Sequence, residues 1–204
     1  MSFFKQHSYD IVRLYINQIG ITIFSLFLYT AVGFVGLEND SLFRHLRLGV
    51  SVASIIFYVF LVYNVFWEIG AKDKIRVDGG KGHLEKNKGF LMAVFANIPN
   101  FVISVVTLIL VLIYKIGGGE GFYSAFTLSV AIQQFHGAMY MGVIQAVTPE
   151  AVSSATGAIN IDSYLLQSII YVFVPAVSLL AVHFSYLLGT KERRIFSSGH
   201  KNNK

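Results

Sequence analysis

Residues 121–147 read GFYSAFTLSVAIQQFHGAMYMGVIQAV, and how this stretch meets a membrane decides the architecture of the chain. It is long and apolar enough to cross a bilayer, which takes about 20 mostly apolar residues. Yet Gln133, Gln134, His136 and Gly137 stand together at its middle. A segment of that kind can also enter and return on one side, provided it is buried in protein or lines a wet cavity. Length favours a crossing. The remaining sequence sets the terms of the choice.

Of the 204 residues, 54% are hydrophobic and 13% are charged, with a mean hydropathy of +0.61. A soluble domain carries roughly 25% charged and 45–50% apolar residues. A chain so poor in charge cannot cover a water-facing surface, so lipid is the expected solvent. The net charge is +5, but the basic residues cluster between apolar runs, which points to an anionic membrane surface. No nucleic-acid-binding pattern accompanies them, and nucleic acid is not an expected partner. Cysteine is absent, which excludes disulfides, thiolate catalysis and cysteine-held metals.

Five stretches qualify as hydrophobic helices: 16–36, 48–69, 90–114, 122–147 and 164–188. Helices are the default because hydrocarbon leaves every backbone amide to be satisfied internally. The alternation of barrel strands is missing. The run from Ile16 to Gly36 exceeds the roughly 7–15 apolar residues of a signal-peptide core, so a retained first span is expected. The expected fold is therefore all-α: one integral membrane bundle over 1–204 with five hydrophobic helices and four or five full crossings.

Lys and Arg collect on the cytoplasmic side. The stretch 71–89 holds six of them (Lys72, Lys74, Arg76, Lys81, Lys86 and Lys88) and reads as a basic cytoplasmic loop held to anionic headgroups. Two spans earlier, the N-terminus is then cytoplasmic as well. The basic tail at 189–204 adds five more: Lys191, Arg193, Arg194, Lys201 and Lys204. Five crossings would leave the two sides tied at eight basic residues each. If 122–147 returns without crossing, the count becomes thirteen against three. Charge therefore favours a return, with both termini inside and Gly119 and Ser197 on opposite faces.

The stretch WEIGAKDKIRVD at 67–78 reads as a helix leaving the membrane. Trp67 is expected as an anchor at headgroup level, with Glu68 reaching water beside it. Gly70 could close the helix as a left-handed residue. Asp78-Gly79-Gly80 reads as a turn. The following VDGGKGHLEKNKG lacks the hydroxyl residue and the strand that a phosphate-binding loop requires, and it lacks the alternating acids of a calcium loop.

Inside the third stretch Asn97, Asn100, Ser104 and Thr107 form one stripe at helical spacing. Such a stripe should face neighbouring helices or water. The fifth stretch repeats the pattern with Tyr164, Tyr171, Ser178 and Ser185, and Gln167 nearby. The second offers Ser51, Ser54 and Tyr58. Gly49 with Ala53, Ala138 with Gly142 and Ala181 with Ser185 would allow close helix approach. Pro99 and Pro175 each remove a helical hydrogen bond. His136 is the only central ionisable residue, and burial of such groups is costly enough to mark function. These stripes serve interhelical hydrogen bonding as readily as solute contact.

No H-E-x-x-H or G-x-S-x-G motif is present, and no pair of carboxylates shares a span. Neither catalytic activity nor a cofactor or metal is expected. The blocks NQIGITIF, WEIGAKDKIR and KGFLMAVFANIPNF resemble a type of small multi-pass membrane protein of Gram-positive bacteria. The resemblance covers the first half, to about residue 105, and implies a bacterial cytoplasmic membrane without implying an activity.

Two functional expectations follow. The first is a non-enzymatic component or regulator that packs against another membrane protein. The second is a small transporter or permease-like subunit whose solute path is lined by Asn97, Asn100, Gln133, Gln134 and His136.

Overall fold

The apolar runs do fold as helices, and most extend beyond their apolar cores. The computed structural model describes residues 3–35, 40–117, 119–152, 159–193 and 195. In chain order the helices are α1 (Phe3–Val35), α2 (Asp40–Asp78), α3 (Lys88–Gly117), α4 (Glu120–His136), α5 (Ala138–Val147), α6 (Ile161–Phe173) and α7 (Pro175–Thr190). There is no β-strand among the described residues beyond one isolated bridge, Val152 with Ile159. Four helices are long and apolar enough to cross a membrane: Phe3–Phe34, Leu42–Asp78, Lys88–Gly117 and Ile161–Thr190. The last combines α6 and α7, bent where Pro175 withholds its amide while Val174 keeps right-handed helical angles. Phe27, Phe34 and Phe173 are more than two-thirds exposed, as expected where hydrocarbon covers the outer surface. The chain is a multi-pass membrane helical bundle.

The stretch 121–147 enters and returns. α4 begins beside the C-terminal end of α3 and runs inward along it: Tyr114 stacks on Phe126, and Thr107 donates to the Ser129 carbonyl at 3.1 Å. At His136 it has reached Thr22 of α1, whose hydroxyl donates to the His136 carbonyl at 3.1 Å. The path then reverses. The Gly142 amide donates to Tyr29 Oη at 3.0 Å and to Ser51 Oγ at 2.8 Å, and Arg44 reaches the Ala146 carbonyl at 3.4 Å. From Thr22 to Tyr29 is a rise of about 10 Å along α1, at 1.5 Å per residue. Beyond α5, the Ser163 hydroxyl of α6 donates to the Pro149 carbonyl, and the neighbouring Asp162 pairs with Lys115 of α3 at 2.6 Å. Both ends of α4–α5 thus lie at one end of the bundle. The four spans bring the start of α1 and the end of α7 together at the other, basic end.

Three local expectations need correction. Gly70 does not close α2, which continues to Asp78. The cap is Gly80, with φ of 72°: its amide donates to Val77 O at 3.0 Å, and the Lys81 amide reaches Arg76 O at 2.9 Å, the paired bonds of a glycine-closed helix end. Lys72, Lys74 and Arg76 are therefore helical, and the loop proper is 79–87. A β-carbon added at Gly49 would meet nothing within 4 Å beyond its own helix, so its pair with Ala53 mediates no close approach, whereas Gly142 does lie against the Arg47 backbone. Of the C-terminal tail, Arg194, Ser197, Lys201 and Lys204 lie outside the described residues.

Candidate functional site

The polar stripes converge at the centre. Gln18 of α1, whose Nε2 has two hydrogens to give, has three acceptors within reach of that nitrogen: Tyr58 Oη at 2.9 Å, Asn97 Oδ1 at 3.1 Å and Ser178 Oγ at 2.9 Å. Its Oε1 accepts from Asn100 at 3.1 Å. Tyr58 and Ser178 share a hydrogen bond of 2.7 Å, and Asn97 Nδ2 also reaches Ser178, at 3.1 Å, and Ala93 O, at 2.8 Å. Five side chains from α1, α2, α3 and α7 form one closed network. A buried polar group needs such partners, since leaving one unpaired costs about 1–3 kcal/mol. Asn97 and Asn100 are where the sequence places them; Gln18, their hub, is not among the sequence candidates.

Opposite this network stands the turning point of α4–α5. Gly137 carries φ of −101° and ψ of 20°, and a β-carbon there would lie 2.3 Å from the Tyr171 ring. Glycine is needed so that the ring can seat against the backbone. The Tyr140 amide donates to Gly137 O, and Thr22 satisfies the His136 carbonyl, as the end of a buried helix requires. Between network and turn lies a small cavity of about 20 Å³, lined by Gln18, Asn97, Asn100, Gln133, His136 and Tyr171 among others. That volume suits about one water molecule, which needs roughly 10–15 Å³ and two to four polar partners. Gln133 is buried and its Nε2 has no protein partner, so a donor is available there. His136 Nδ1 lies 3.1 Å from its own Ile132 carbonyl.

Gln134 departs from this group. Adjacent helical residues point about 100° apart, and Gln134 instead lines a half-open chamber of about 390 Å³ with Phe43, Arg44, Arg47, Gln145, Glu150 and Gln167. This chamber sits at the end of the bundle where α2 and α6 begin. Trp67 and Glu68 lie at the opposite, basic end. The Trp67 indole donates to the Arg193 carbonyl at 2.8 Å, tying α2 to the chain after α7. Glu68 is exposed and pairs with Lys72 at 2.6 Å. Beside them a second half-open chamber of about 440 Å³ is lined by His7, Asp10, Arg13, Glu68, Asp73 and Lys88.

These features define a class: a four-span membrane bundle built around a re-entrant pair of short helices, with a polar centre between two half-open chambers. Comparison with known proteins narrows it no further, because no family model, curated protein or solved structure matches this chain.

Proposed function

We propose that this protein is a small permease-like membrane protein that moves a small polar solute past the tip of its re-entrant helices. The observation carrying this reading is the placement of the α4–α5 turn at mid-depth, against a polar cavity holding the unpaired Gln133 amide. Irregular backbone at membrane depth is tolerated where it lines a cavity, and interrupted helices meeting at the midplane are how many transporters build a solute site. Leu14, Val62, Phe66 and Met92, all buried, stand between the centre and the basic end along their helices, so the path is shut on that side. With ten of the thirteen described basic residues at the end where α1 starts and α7 finishes, that end faces the cytoplasm of the proposed bacterial cell membrane. Lys72, Lys74, Arg76 and Lys81 would there meet anionic headgroups.

A second reading, the non-enzymatic component or regulator of a membrane complex, is favoured by one observation. The network around Gln18 bonds almost wholly to itself, and the cavity beside it holds about one water, which suits packing as well as passage.

Shrinking and swelling of proteoliposomes with urea, glycerol or acetate separates the two. Gln133→Leu removes an unpaired buried amide and should leave folding intact. Under the permease reading it abolishes whatever solute flux the wild type shows. Liposomes as tight as protein-free ones to all three solutes, from protein that copurifies stoichiometrically with another membrane protein, would instead support the component reading.

A further inference from the structure

The chamber at the outer mouth of the re-entrant helices has an unusual charge balance for a membrane protein with so few charges. Arg47 enters it from an early turn of α2, its guanidinium 5.0 Å from the centre of the Phe43 ring and 5.9 Å from that of Tyr29. The two rings hold the planar group in place by cation–π attraction. No carboxylate among the described residues lies within ion-pair distance of it. Arg44, one turn earlier, spends one nitrogen on the Ala146 carbonyl at a long 3.4 Å. Among the described residues Glu150 is the one acid lining the chamber, and it makes no described ion pair with either arginine.

Amide groups surround the two cations. Gln134, Gln145 and Gln167 line the same space. Gln167 is committed to Thr148 at 3.2 Å and Ser163 at 3.4 Å, whereas Gln134 and Gln145 line the chamber from α4 and α5. The position of Arg47 is fixed through its backbone too, because its carbonyl lies so near Gly142 that a β-carbon there would stand 2.1 Å away. The chamber of about 390 Å³ falls within the roughly 300–1,000 Å³ of ordinary small-ligand sites.

We propose that this chamber binds an oxyanion, a phosphate or carboxylate group, held by the Arg47 fork with Arg44 and the Gln134 and Gln145 amides around it. The arginine fork matches two oxygens of either group at once, which a lysine ammonium cannot do. The group belongs either to a free solute or to a lipid headgroup reaching in from the outer leaflet. If the former, the inference rests on the permease reading and names its solute class; as a binding site it stands without it.

The test uses the full chain in a phosphate-free maltoside detergent at constant ionic strength. Inorganic phosphate is followed by ³¹P line broadening, acetate by ¹³C line broadening, and dihexanoyl phosphatidylglycerol by ³¹P. Wild type is expected to bind at least one of them, with Arg47→Gln weakening binding roughly tenfold or more. Arg47→Lys, which keeps the charge and the fold but loses the fork, should fall between them. Binding of phosphate or acetate assigns the site to a free solute, and binding of the short lipid alone assigns it to a headgroup. Either supports the oxyanion site. Absence of binding by all three probes, or equal binding by Arg47→Gln, overturns it. Gln133→Leu should bind like wild type, so liposomes that pass no solute while anion binding persists defeat only the permease reading. Liposomes that pass urea without any anion binding defeat only this one.

Discussion

Gly189 of α7 lies against the backbone of Trp67 so closely that a β-carbon on it would stand 2.1 Å from the Trp67 carbonyl oxygen. The contact is reciprocal: a β-carbon on Gly70 would stand 2.2 Å from the Tyr186 carbonyl oxygen. Each glycine sits three residues after the residue that the opposite glycine touches, so the two backbones meet directly. Gly70→Ala and Gly189→Ala must push α2 and α7 apart. Each should lower stability by about 1–3 kcal/mol, the usual range for overpacking, or more where the backbone cannot yield. Gly49→Ala, with open space around it, should be neutral or slightly stabilising, since alanine is the better helix former. Unfolding titrations in mixed SDS and maltoside micelles measure all three.

The re-entrant path fixes a labelling pattern. Single cysteines can be placed without background because the chain has none. Gly119→Cys and Glu150→Cys, at the two ends of α4–α5, should react with a membrane-impermeant maleimide from the same side. Lys81→Cys and Glu192→Cys should react only from the other. A chain with five crossings would instead place Glu150 with Lys81, and that result would refute the return.

Charge and composition made the return legible: tied basic counts under five crossings and a polar midpoint in 121–147. The stripes of α3 and of α6–α7 were legible too: Asn97, Ser104, Thr107, Tyr171, Ser178 and Ser185 are buried, and Asn100 and Tyr164 are half-buried. What failed did so for physical reasons. A span taken to start at Ile16 puts Gln18 at its edge, whereas α1 begins at Phe3 and carries Gln18 to the centre. Glycine serves both a left-handed cap and a close backbone contact by the same missing β-carbon, so sequence could not tell which Gly70 provides. Gln133 and Gln134 face different spaces, which helical geometry alone implies. The outer chamber draws on α2, α4, α5 and α6, and no local pattern announces such an assembly.

Gln18 is the network's most connected side chain, with hydrogen bonds to Tyr58, Asn97, Ser178 and Asn100. A single interhelical hydrogen bond in a membrane protein averages about 0.6 kcal/mol. Removing Gln18 loses several and leaves buried partners short, at about 1–3 kcal/mol for a stranded group. Gln18→Leu should therefore destabilise more than Ser104→Ala, which loses one long contact of 3.3 Å to the Tyr171 carbonyl. Thermal unfolding in one detergent ranks them. Equal losses would show that the Gln18 contacts together contribute no more than the single Ser104 bond.

At the basic end, two ion pairs of similar length should behave differently. Lys88 meets Asp73 at 2.8 Å with side chains only 10% and 16% exposed, and Glu68 meets Lys72 at 2.6 Å with 57% and 69% exposed. Asp73 Oδ2 also accepts the Tyr186 hydroxyl at 3.0 Å, so one carboxylate joins α2, α3 and α7. Exposed pairs are screened by solvent and contribute little, whereas removing one partner of a buried pair strands the other. Asp73→Leu should destabilise by about 1–3 kcal/mol. Adding Lys88→Met should recover part of that loss, because the stranded ammonium is gone. Glu68→Gln should leave stability unchanged within error, and raising the salt concentration should not alter the order. Denaturation of wild type, the three single variants Asp73→Leu, Lys88→Met and Glu68→Gln, and the double variant in parallel settles the comparison. A double variant weaker than Asp73→Leu by the full cost of Lys88→Met alone would show that the two charges do not act together.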